Sequence, residues 1–220
     1  MDANQFRNGL ILFIGLIVSV GVHEFGHAFV SHKLGDPTPE SEGRVTLNPL
    51  AHLDMIGTVI LPIFFIFILN TTLMFGWGKP VNINPLRFKK SVSMRFGDIL
   101  VSFAGPLMNI LFAALLLLIM GILVRGGFVK PAEPMLQALG MYVMLNFILA
   151  AFNLLPLPPL DGSHIMINSF NMGRRHPLVE FLENYGMWIL VILLISGALK
   201  YILGPVHYFS ISLIRLAIGA

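Results

Sequence analysis

Cysteine is absent from this chain of 220 residues, and charged residues make up only 11% of it. Without cysteine there can be no disulfide bond, no thiolate metal site and no cysteine nucleophile. Soluble domains are about one quarter charged, so the low charge argues against a water-soluble globule. The mean hydropathy of +0.82 and the 56% of hydrophobic residues indicate a membrane protein instead. Basic clusters with interleaved aromatic residues are also missing, so we expect no nucleic-acid partner.

Long stretches without Asp, Glu, Lys or Arg occupy more than half of the chain. They are Asn8–His23, Met55–Gly78, Ile99–Val124, Pro134–Leu160, Asn184–Leu199 and Tyr201–Ile214. A helix that spans a bilayer needs roughly 20 mostly apolar residues. The pattern therefore predicts an all-α polytopic membrane protein with roughly five to six membrane segments and short extended or β-loop elements.

Proline and glycine residues predict where the segments end. We expect helices over Gly9–Val30, Met135–Leu155 and Tyr185–Leu203, the last closed by Gly204-Pro205. Arg44–Leu47 is a candidate short strand, and Gly76–Pro85 is expected to be extended. We expect one transmembrane domain over residues 1–220, with a core at about 9–200. Residues 201–220 are expected to be a short membrane-associated segment, only half inserted from Val206 onward.

The second half of the first apolar segment carries His23, Glu24 and His27 in an HExxH sequence. On a helix, residues i and i+4 share a face, so both imidazoles can reach one metal ion. Glu24 is placed to accept a proton from the attacking water. Two histidines on a polar helix face are the alternative. Three ionisable groups in five residues are costly in hydrocarbon, which favours metal binding.

A catalytic zinc usually has three protein ligands, so a third ligand must come from elsewhere in the chain. Asp161 stands alone at the end of a long apolar segment and follows a proline-rich stretch. By itself it can be a turn residue or the N-cap of a following helix. With HExxH present, a ligand is the favoured interpretation.

Two motifs together resemble the site-2 protease family of intramembrane zinc metalloproteases. The family pattern is HExxH on one helix and NxxPxxxLDG on another, and the chain matches both at His23–His27 and Asn153–Gly162. Ala104–Asn109 is similar to the AGPxxN helix of the family. Gly43–Asp54 and Gly76–Val81 resemble a compact prokaryotic branch without PDZ or CBS domains. The resemblance covers about residues 9–200.

This resemblance implies an enzyme that hydrolyses peptide bonds of transmembrane substrates within the bilayer. One zinc ion per chain would be bound by His23, His27 and Asp161, with Glu24 as the general base. Asn153 would position the substrate or stabilise the oxyanion. The implied partners are a transmembrane protein or peptide and the lipid bilayer, in a prokaryotic cell (inner) membrane.

Several other polar residues have two interpretations each. His164 is either a solvated histidine, which we favour, or a residue that supports the nearby Asp161. His52 and Asp54 either line the entrance to the site or cap the helix that begins at Met55, and the cap is favoured. Trp77 is expected to be an interfacial anchor rather than a substrate contact.

The depth of the metal ligands constrains the topology. His23 lies roughly 21 Å along the first helix from Gly9. If Met55–Gly78 and Ile99–Val124 both crossed fully, Asp161 would lie on the order of 20 Å away in depth, whereas zinc–ligand bonds are about 2 Å. We therefore predict that Met55–Gly78 is a re-entrant hairpin whose flanks lie on one side of the membrane. We expect Asn70, Thr71 and Thr72 near its deepest point or on its return limb.

Basic residues give the orientation. With a re-entrant segment, nine lie on one face: Lys33, Arg44, Lys79, Arg87, Lys89, Lys90, Arg95, Arg174 and Arg175. Four lie on the other: Arg7, Arg125, Lys130 and Lys200, with Arg215 unassigned. By the positive-inside rule the nine-charge face is cytoplasmic. The active site is then expected toward the cytoplasmic side, with the N-terminus outside.

A non-proteolytic metal-binding membrane protein, either a zinc carrier or an inactive protease-like scaffold, is the alternative function. A carrier is expected to show ionisable residues inside other helices, and Ile99–Val124 and Tyr185–Leu199 have none. An inactive scaffold would usually have lost Glu24 or a ligand. The sequence therefore favours the metalloprotease.

Overall fold

A computed structural model describes residues 2–68, 76–131, 133–173 and 175–219. Within these residues the regular structure is helical and contains no strand. The α-helices are α1 (Ala3–Leu34), α2 (Thr38–Ser41), α3 (Leu61–Ile63), α4 (Met94–Arg125), α5 (Pro134–Asn153), α6 (Asp161–Ser169), α7 (Pro177–Ile195) and α8 (Leu199–Ile218). Short 3₁₀ turns lie at Pro49–His52 and Pro85–Arg87.

Five of these helices are long and apolar enough to cross a membrane: α1, α4, α5, α7 and α8. The sequence marks their ends. Asp2 and Gln5 form a capping box at the start of α1, and Gly35 ends it at φ 109°. Ser93 caps α4 by accepting a hydrogen bond from the amide of Phe96. The predicted all-α polytopic membrane fold is confirmed.

The helix α4 occupies the centre and packs against α1, α5, α6 and α8. Between α4 and α5 lies an apolar core: Ala113, Leu116, Met120, Leu136 and Val143. Between α1 and α5, Leu16 and Val20 pack on Leu145. Glycine permits the close approach of α1 to α4, because a Cβ at Gly26 would lie 2.6 Å from the carbonyl oxygen of Ala104. This approach brings the second half of α1 against α4.

The segment predicted to be re-entrant contains a short helix. Two π-helical stretches, Met55–Ile60 and Phe64–Ile68, flank α3. The helical residues that the structure describes here are Met55–Ile68, and residues 69–75 lie outside the described part of the chain.

The two ends of this segment meet. The Thr58 hydroxyl donates to the carbonyl of Trp77 (2.7 Å), and the amide of Lys79 donates to the carbonyl of His52 (2.9 Å). A full crossing would place these ends on opposite sides of a bilayer, so the contacts agree with the predicted hairpin. Asn70, Thr71 and Thr72, predicted near its deepest point, lie outside the described residues.

The boundary between the last two membrane-length helices differs from the sequence prediction. The predicted helix Tyr185–Leu203 is wrong, because the chain turns at Gly197, whose φ is 74°, and not at Gly204-Pro205. Pro205 instead lies inside α8, as apolar membrane helices tolerate when neighbouring groups satisfy the backbone. The tail predicted to be half inserted is therefore part of a helix of full membrane length.

The predicted strand at Arg44–Leu47 is also wrong. There the amide of Thr46 bonds back to the carbonyl of Arg44 (2.9 Å), which bends the chain locally. A bent backbone cannot present the regular row of amides that a strand requires.

Candidate metal centre

The two histidines of the HExxH sequence lie on one face of α1, as their spacing predicts. The side chains of His23 and His27 are buried, and their Nε2 atoms are 3.0 Å apart. Two imidazole nitrogens thus point to one location between α1 and α4.

Asp161 reaches the same location from the loop that follows α5, and it is the first residue of α6. Its Oδ2 lies 3.2 Å from Nε2 of His23, and its Oδ1 lies 3.5 Å from Nε2 of His27. The loop is compact, because a Cβ at Gly162 would collide with the carbonyl of Leu154. This turn explains why glycine follows the aspartate, and it carries the carboxylate inward.

These three side chains have the composition and geometry of a metal site. One ligand atom from each of His23, His27 and Asp161 lies within 4.8 Å of the other two. Oδ2 of Asp161 is buried and accepts no hydrogen bond from the described part of the chain. Two neutral imidazoles and a carboxylate form a donor set that catalytic zinc uses. A cation would satisfy the orphaned oxygen, so the residues present fit a zinc ion.

The opposite nitrogen of each histidine ring is hydrogen-bonded. Nδ1 of His27 lies 2.7 Å from the carbonyl oxygen of Val101, and Nδ1 of His23 lies 2.7 Å from Oδ1 of Asn109. Both partners can only accept, so each Nδ1 carries the hydrogen. Each Nε2 then has its lone pair free toward Asp161, as a metal-binding histidine requires.

Gly105 of the AGPxxN segment lies directly against the two rings. A Cβ there would be 2.7 Å from Cε1 of His23 and closer still to Nε2 of His27. Only glycine leaves room for the ligands at this position, which gives the AGP sequence a steric reason.

Glu24 follows the first histidine and is half-buried. An extended segment, residues 76–84, passes beside it, and we call this segment the strap. A Cβ at Gly78 would lie 3.1 Å from Oε1 of Glu24, so the strap backbone is in contact with the carboxylate.

The strap is fixed at both ends. The carbonyl of Lys79 accepts from the guanidinium of Arg44, and the amide of Asn84 donates to Oδ2 of Asp36 (2.7 Å). In between, the backbone amides of Val81, Asn82 and Ile83 have no hydrogen-bond partner within the described residues. The strap therefore contacts Glu24 at Gly78 and carries, three to five residues further on, amides without a partner in the described part of the chain.

The remaining predicted residues lie in different surroundings. The half-buried Asn153 donates from Nδ2 to the carbonyl of Leu149 (2.9 Å). Nδ1 of the exposed His164 lies 3.4 Å from Oδ2 of Asp98, outside the ligand cluster.

The interpretation as a helix cap is confirmed for Asp54 and is wrong for His52. Asp54 accepts from the amides of Ile56 and Gly57 at the start of its helix. His52 is fully buried, and its ring bonds to the carbonyl of Thr46 because the preceding chain folds over it. Trp77 is 44% exposed, with its ring against Gly57.

Three polar residues near the histidines, Asn109, Asn146 and Ser19, were not predicted to contribute to the site. All three are fully buried around His23. A signal was present, since Asn109 and Asn146 are amides inside otherwise apolar stretches, where a polar side chain needs a partner.

The family follows from similarity to known proteins. A family model described as Peptidase family M50 matches residues 129–197. The chain is 36% identical over 200 residues to "Putative zinc metalloprotease YwhC" of Bacillus subtilis (strain 168), covering 88% of this chain and 84% of that protein. The chain belongs to peptidase family M50.

Other relatives extend the similarity of this M50 protein. It is 30% identical over 192 residues to "Putative zinc metalloprotease Rip2" of Mycolicibacterium smegmatis, covering 87% of the chain and 69% of that protein. It is 25% identical over 195 residues to "Zinc metalloprotease MJ0392" of Methanocaldococcus jannaschii, covering 86% and 43%. No solved structure matches the chain.

Family membership confirms the predicted resemblance to the site-2 proteases. The names of the relatives agree with the predicted zinc cofactor. Together with the five membrane-length helices, the family makes this chain an integral membrane protein.

Proposed function

We propose that this M50 protein is a zinc metalloprotease that hydrolyses peptide bonds of transmembrane substrates within the bilayer. One observation carries the proposal: His23, His27 and Asp161 converge inside a bundle of membrane-length helices. His23 lies about 16 Å before the C-terminal end of α1, at 1.5 Å per residue. The peptide bond to be cleaved must therefore come to the site within the membrane region.

The zinc ligands in this proposal are His23, His27 and Asp161. The chemistry supplied by a bound zinc is Lewis acidity, which lowers the pKa of water and polarises a carbonyl group. Glu24, beside the first ligand, accepts the proton as the water oxygen attacks the carbonyl carbon. It then returns that proton to the amide nitrogen as the C–N bond breaks. Asn153 positions the substrate or stabilises the oxyanion.

A substrate helix must unwind before cleavage, because its amides are hydrogen-bonded along the helix. The strap is the proposed binding site for the unwound substrate chain. It contacts Glu24 at Gly78, and the amides of Val81–Ile83 further along have no hydrogen-bond partner within the described residues, so an extended peptide can pair with this edge by β-addition. The sequence left this role and a passive turn equally open, and the contact with Glu24 favours the role in binding.

Orientation and domain organisation complete the proposal. The nine basic residues that flank α1, the hairpin and α7 support a catalytic side that faces the cytoplasm of a prokaryotic cell. A single transmembrane domain, with its core at about residues 9–200, carries the activity.

Metal analysis paired with cleavage of a model transmembrane peptide tests this function. We expect about one zinc per chain, and His23→Ala, His27→Ala and Asp161→Ala should each lose most of it. Glu24→Gln should keep zinc and helicity but lose cleavage, because an amide cannot accept the proton. Glu180→Gln, the same change at an exposed position of α7, is the control. Normal turnover by Glu24→Gln would contradict the mechanism.

A further inference from the structure

Three polar side chains lie fully buried between α1, α4 and α5, and the proposed chemistry uses none of them. They are Ser19, Asn109 and Asn146, each with 0% of its surface exposed. Buried polar groups inside membrane helices are costly unless they are hydrogen-bonded. Their hydrogen bonds form one chain of contacts that ends at His23.

The amide of Asn146 has a fixed orientation. Its Nδ2 donates to Oγ of Ser19 (2.9 Å) and to the carbonyl of Tyr142 (2.8 Å). A carbonyl oxygen can only accept, so the nitrogen must face Tyr142. Oδ1 of Asn146 is thereby turned toward Asn109.

The amide of Asn109 is fixed in turn. Its Nδ2 donates to Oδ1 of Asn146 (2.8 Å) and to the carbonyl of Ser19 (3.0 Å). Its Oδ1 therefore faces Nδ1 of His23 at 2.7 Å. If the Asn109 amide turned over, its oxygen would face two acceptors, and its nitrogen would face the ring.

We propose that Asn146 is a positioning residue of the metal centre, which holds the Asn109 amide so that His23 keeps its hydrogen on Nδ1 and its Nε2 free for the metal. This inference rests on the proposed zinc ligands. It adds a third helix, α5, to the elements that prepare the HExxH sequence for metal binding.

The two histidines differ in what fixes them. Nδ1 of His27 donates to a backbone carbonyl, that of Val101, which cannot exchange its oxygen for a nitrogen. Nδ1 of His23 depends on a side-chain amide, which can rotate and present either atom. His23 is therefore the ligand whose tautomer needs further support, and Asn146 provides it.

Zinc affinity of the purified protein, measured by competition with a chelator, tests the proposal. Substituting a residue that hydrogen-bonds to a metal-binding side chain typically lowers the metal affinity by about 10–100-fold. We expect Asn109→Leu to weaken zinc binding by roughly 10–100-fold and Asn146→Leu by about tenfold. Ser210→Ala removes another fully buried hydroxyl, on α8, and should leave the affinity unchanged.

The double variant separates positioning from general destabilisation. If Asn146 acts through Asn109, the Asn109→Leu/Asn146→Leu protein should bind zinc like Asn109→Leu alone, within about twofold. Independent structural damage would multiply the two losses and overturn the proposal.

A spectroscopic readout requires no metal. In metal-free protein, ¹⁵N NMR should show His23 with a protonated Nδ1, and Asn146→Leu should produce a mixture of tautomers. Should Asn146→Leu not fold, Asn146→Ser withdraws the oxygen while keeping a small polar residue. An unchanged tautomer with unchanged zinc affinity would refute the role of Asn146. If His23→Ala also retained zinc, the proposed ligand set would be wrong as well, so the two failures are distinguishable.

Discussion

Two buried polar clusters of this protein use different chemical groups. The amide cluster of Ser19, Asn109 and Asn146 lies among membrane-length helices and contains only neutral side chains. The cap cluster of Asp36, Arg44 and His52 lies in the loop after α1 and contains ionisable side chains that bond largely to backbone groups. The first cluster contacts His23, a proposed metal ligand, and the second bonds to the strap.

Their positions relative to the membrane explain the difference. Neutral amides deep in a bundle satisfy one another without a charge that must be desolvated. Near the end of a helix, charged groups can pair with free amides and carbonyls of loops, and such hydrogen bonds are stronger than neutral ones. The comparison predicts that metal binding and substrate handling can be damaged separately.

The largest effect is expected from Gly105→Ala. A Cβ at this position overlaps both histidine rings, so zinc affinity should fall by roughly 100-fold and cleavage should be lost. Chelator competition measures the affinity. Gly121→Ala on the same helix is the control, because its Cβ would meet only the carbonyl oxygen of Ala217 at 3.6 Å. Equal zinc binding by the two variants would contradict the steric argument.

Arg44→Lys should impair substrate cleavage without affecting zinc binding, which would distinguish the roles of the two clusters. Arg44 is buried and bonds to the carbonyls of Ala51 and Lys79, a fork that lysine cannot reproduce. We expect kcat/KM for a transmembrane peptide to fall about tenfold, with zinc content unchanged. Arg95→Lys makes the same change at an exposed site and should behave like the parent. Loss of zinc in Arg44→Lys would show that the clusters are not independent.

Asp36→Asn should make the stability that the cap cluster contributes less sensitive to acid. Burial alone would raise the pKa of Asp36, but hydrogen bonds from Asn84, Thr38 and Ser31 hold it below the ordinary value. A lowered pKa means that this stabilisation is present above the ordinary carboxyl pKa and is lost as the pH falls through the lowered value.

Thermal unfolding in detergent, followed as a function of pH, measures this effect. The Asp36→Asn midpoint should be roughly 2–4 °C lower at neutral pH. The gap to the parent should close in acid. Glu183→Gln, the loss of an exposed carboxylate on α7, is the control. A gap that stays constant with pH would assign the loss to packing rather than to charge.

Single cysteine substitutions, which should perturb the protein least, test whether the two ends of the hairpin lie on one side of the membrane. Ser41→Cys and Ser91→Cys, both exposed, should label from the same side of the membrane, because the hairpin ends meet. Lys130→Cys, between α4 and α5, should label from the other side. The native chain has no cysteine to interfere. Labelling of Ser41→Cys and Ser91→Cys from opposite sides would rule out the re-entrant model.

The sequence was sufficient to predict the ligand cluster. HExxH spacing places two imidazoles on one helix face. An acidic residue in an irregular part of an apolar segment indicates a functional role, here that of the third ligand. The requirement that His23 and Asp161 meet also predicted the hairpin. The structure brings His23, His27 and Asp161 together as predicted, whereas their role as zinc ligands and the re-entrant topology stay predictions.

Other features could not be derived from the sequence. The boundary between α7 and α8 depends on which of two glycine positions takes a positive φ, and local patterns did not decide between Gly197 and Gly204. The pairing of Asn109 with Asn146 depends on the rotation of α5 relative to α4, which a single sequence does not encode locally. His52 looked like a cap residue because its burial comes from the folded loop around it.

The number of membrane crossings between the two halves of the metal centre has a further consequence. In the predicted topology, with Met55–Gly78 re-entrant, α1 and α5 run in the same direction and α4 is the single crossing between them, which lets His23 on α1 meet Asp161 after α5. The parity of crossings between the motifs is thereby fixed. A related chain can insert a soluble domain or a pair of membrane helices into this interval and keep the site. One additional crossing would invert the second motif and separate the ligands by the thickness of the membrane.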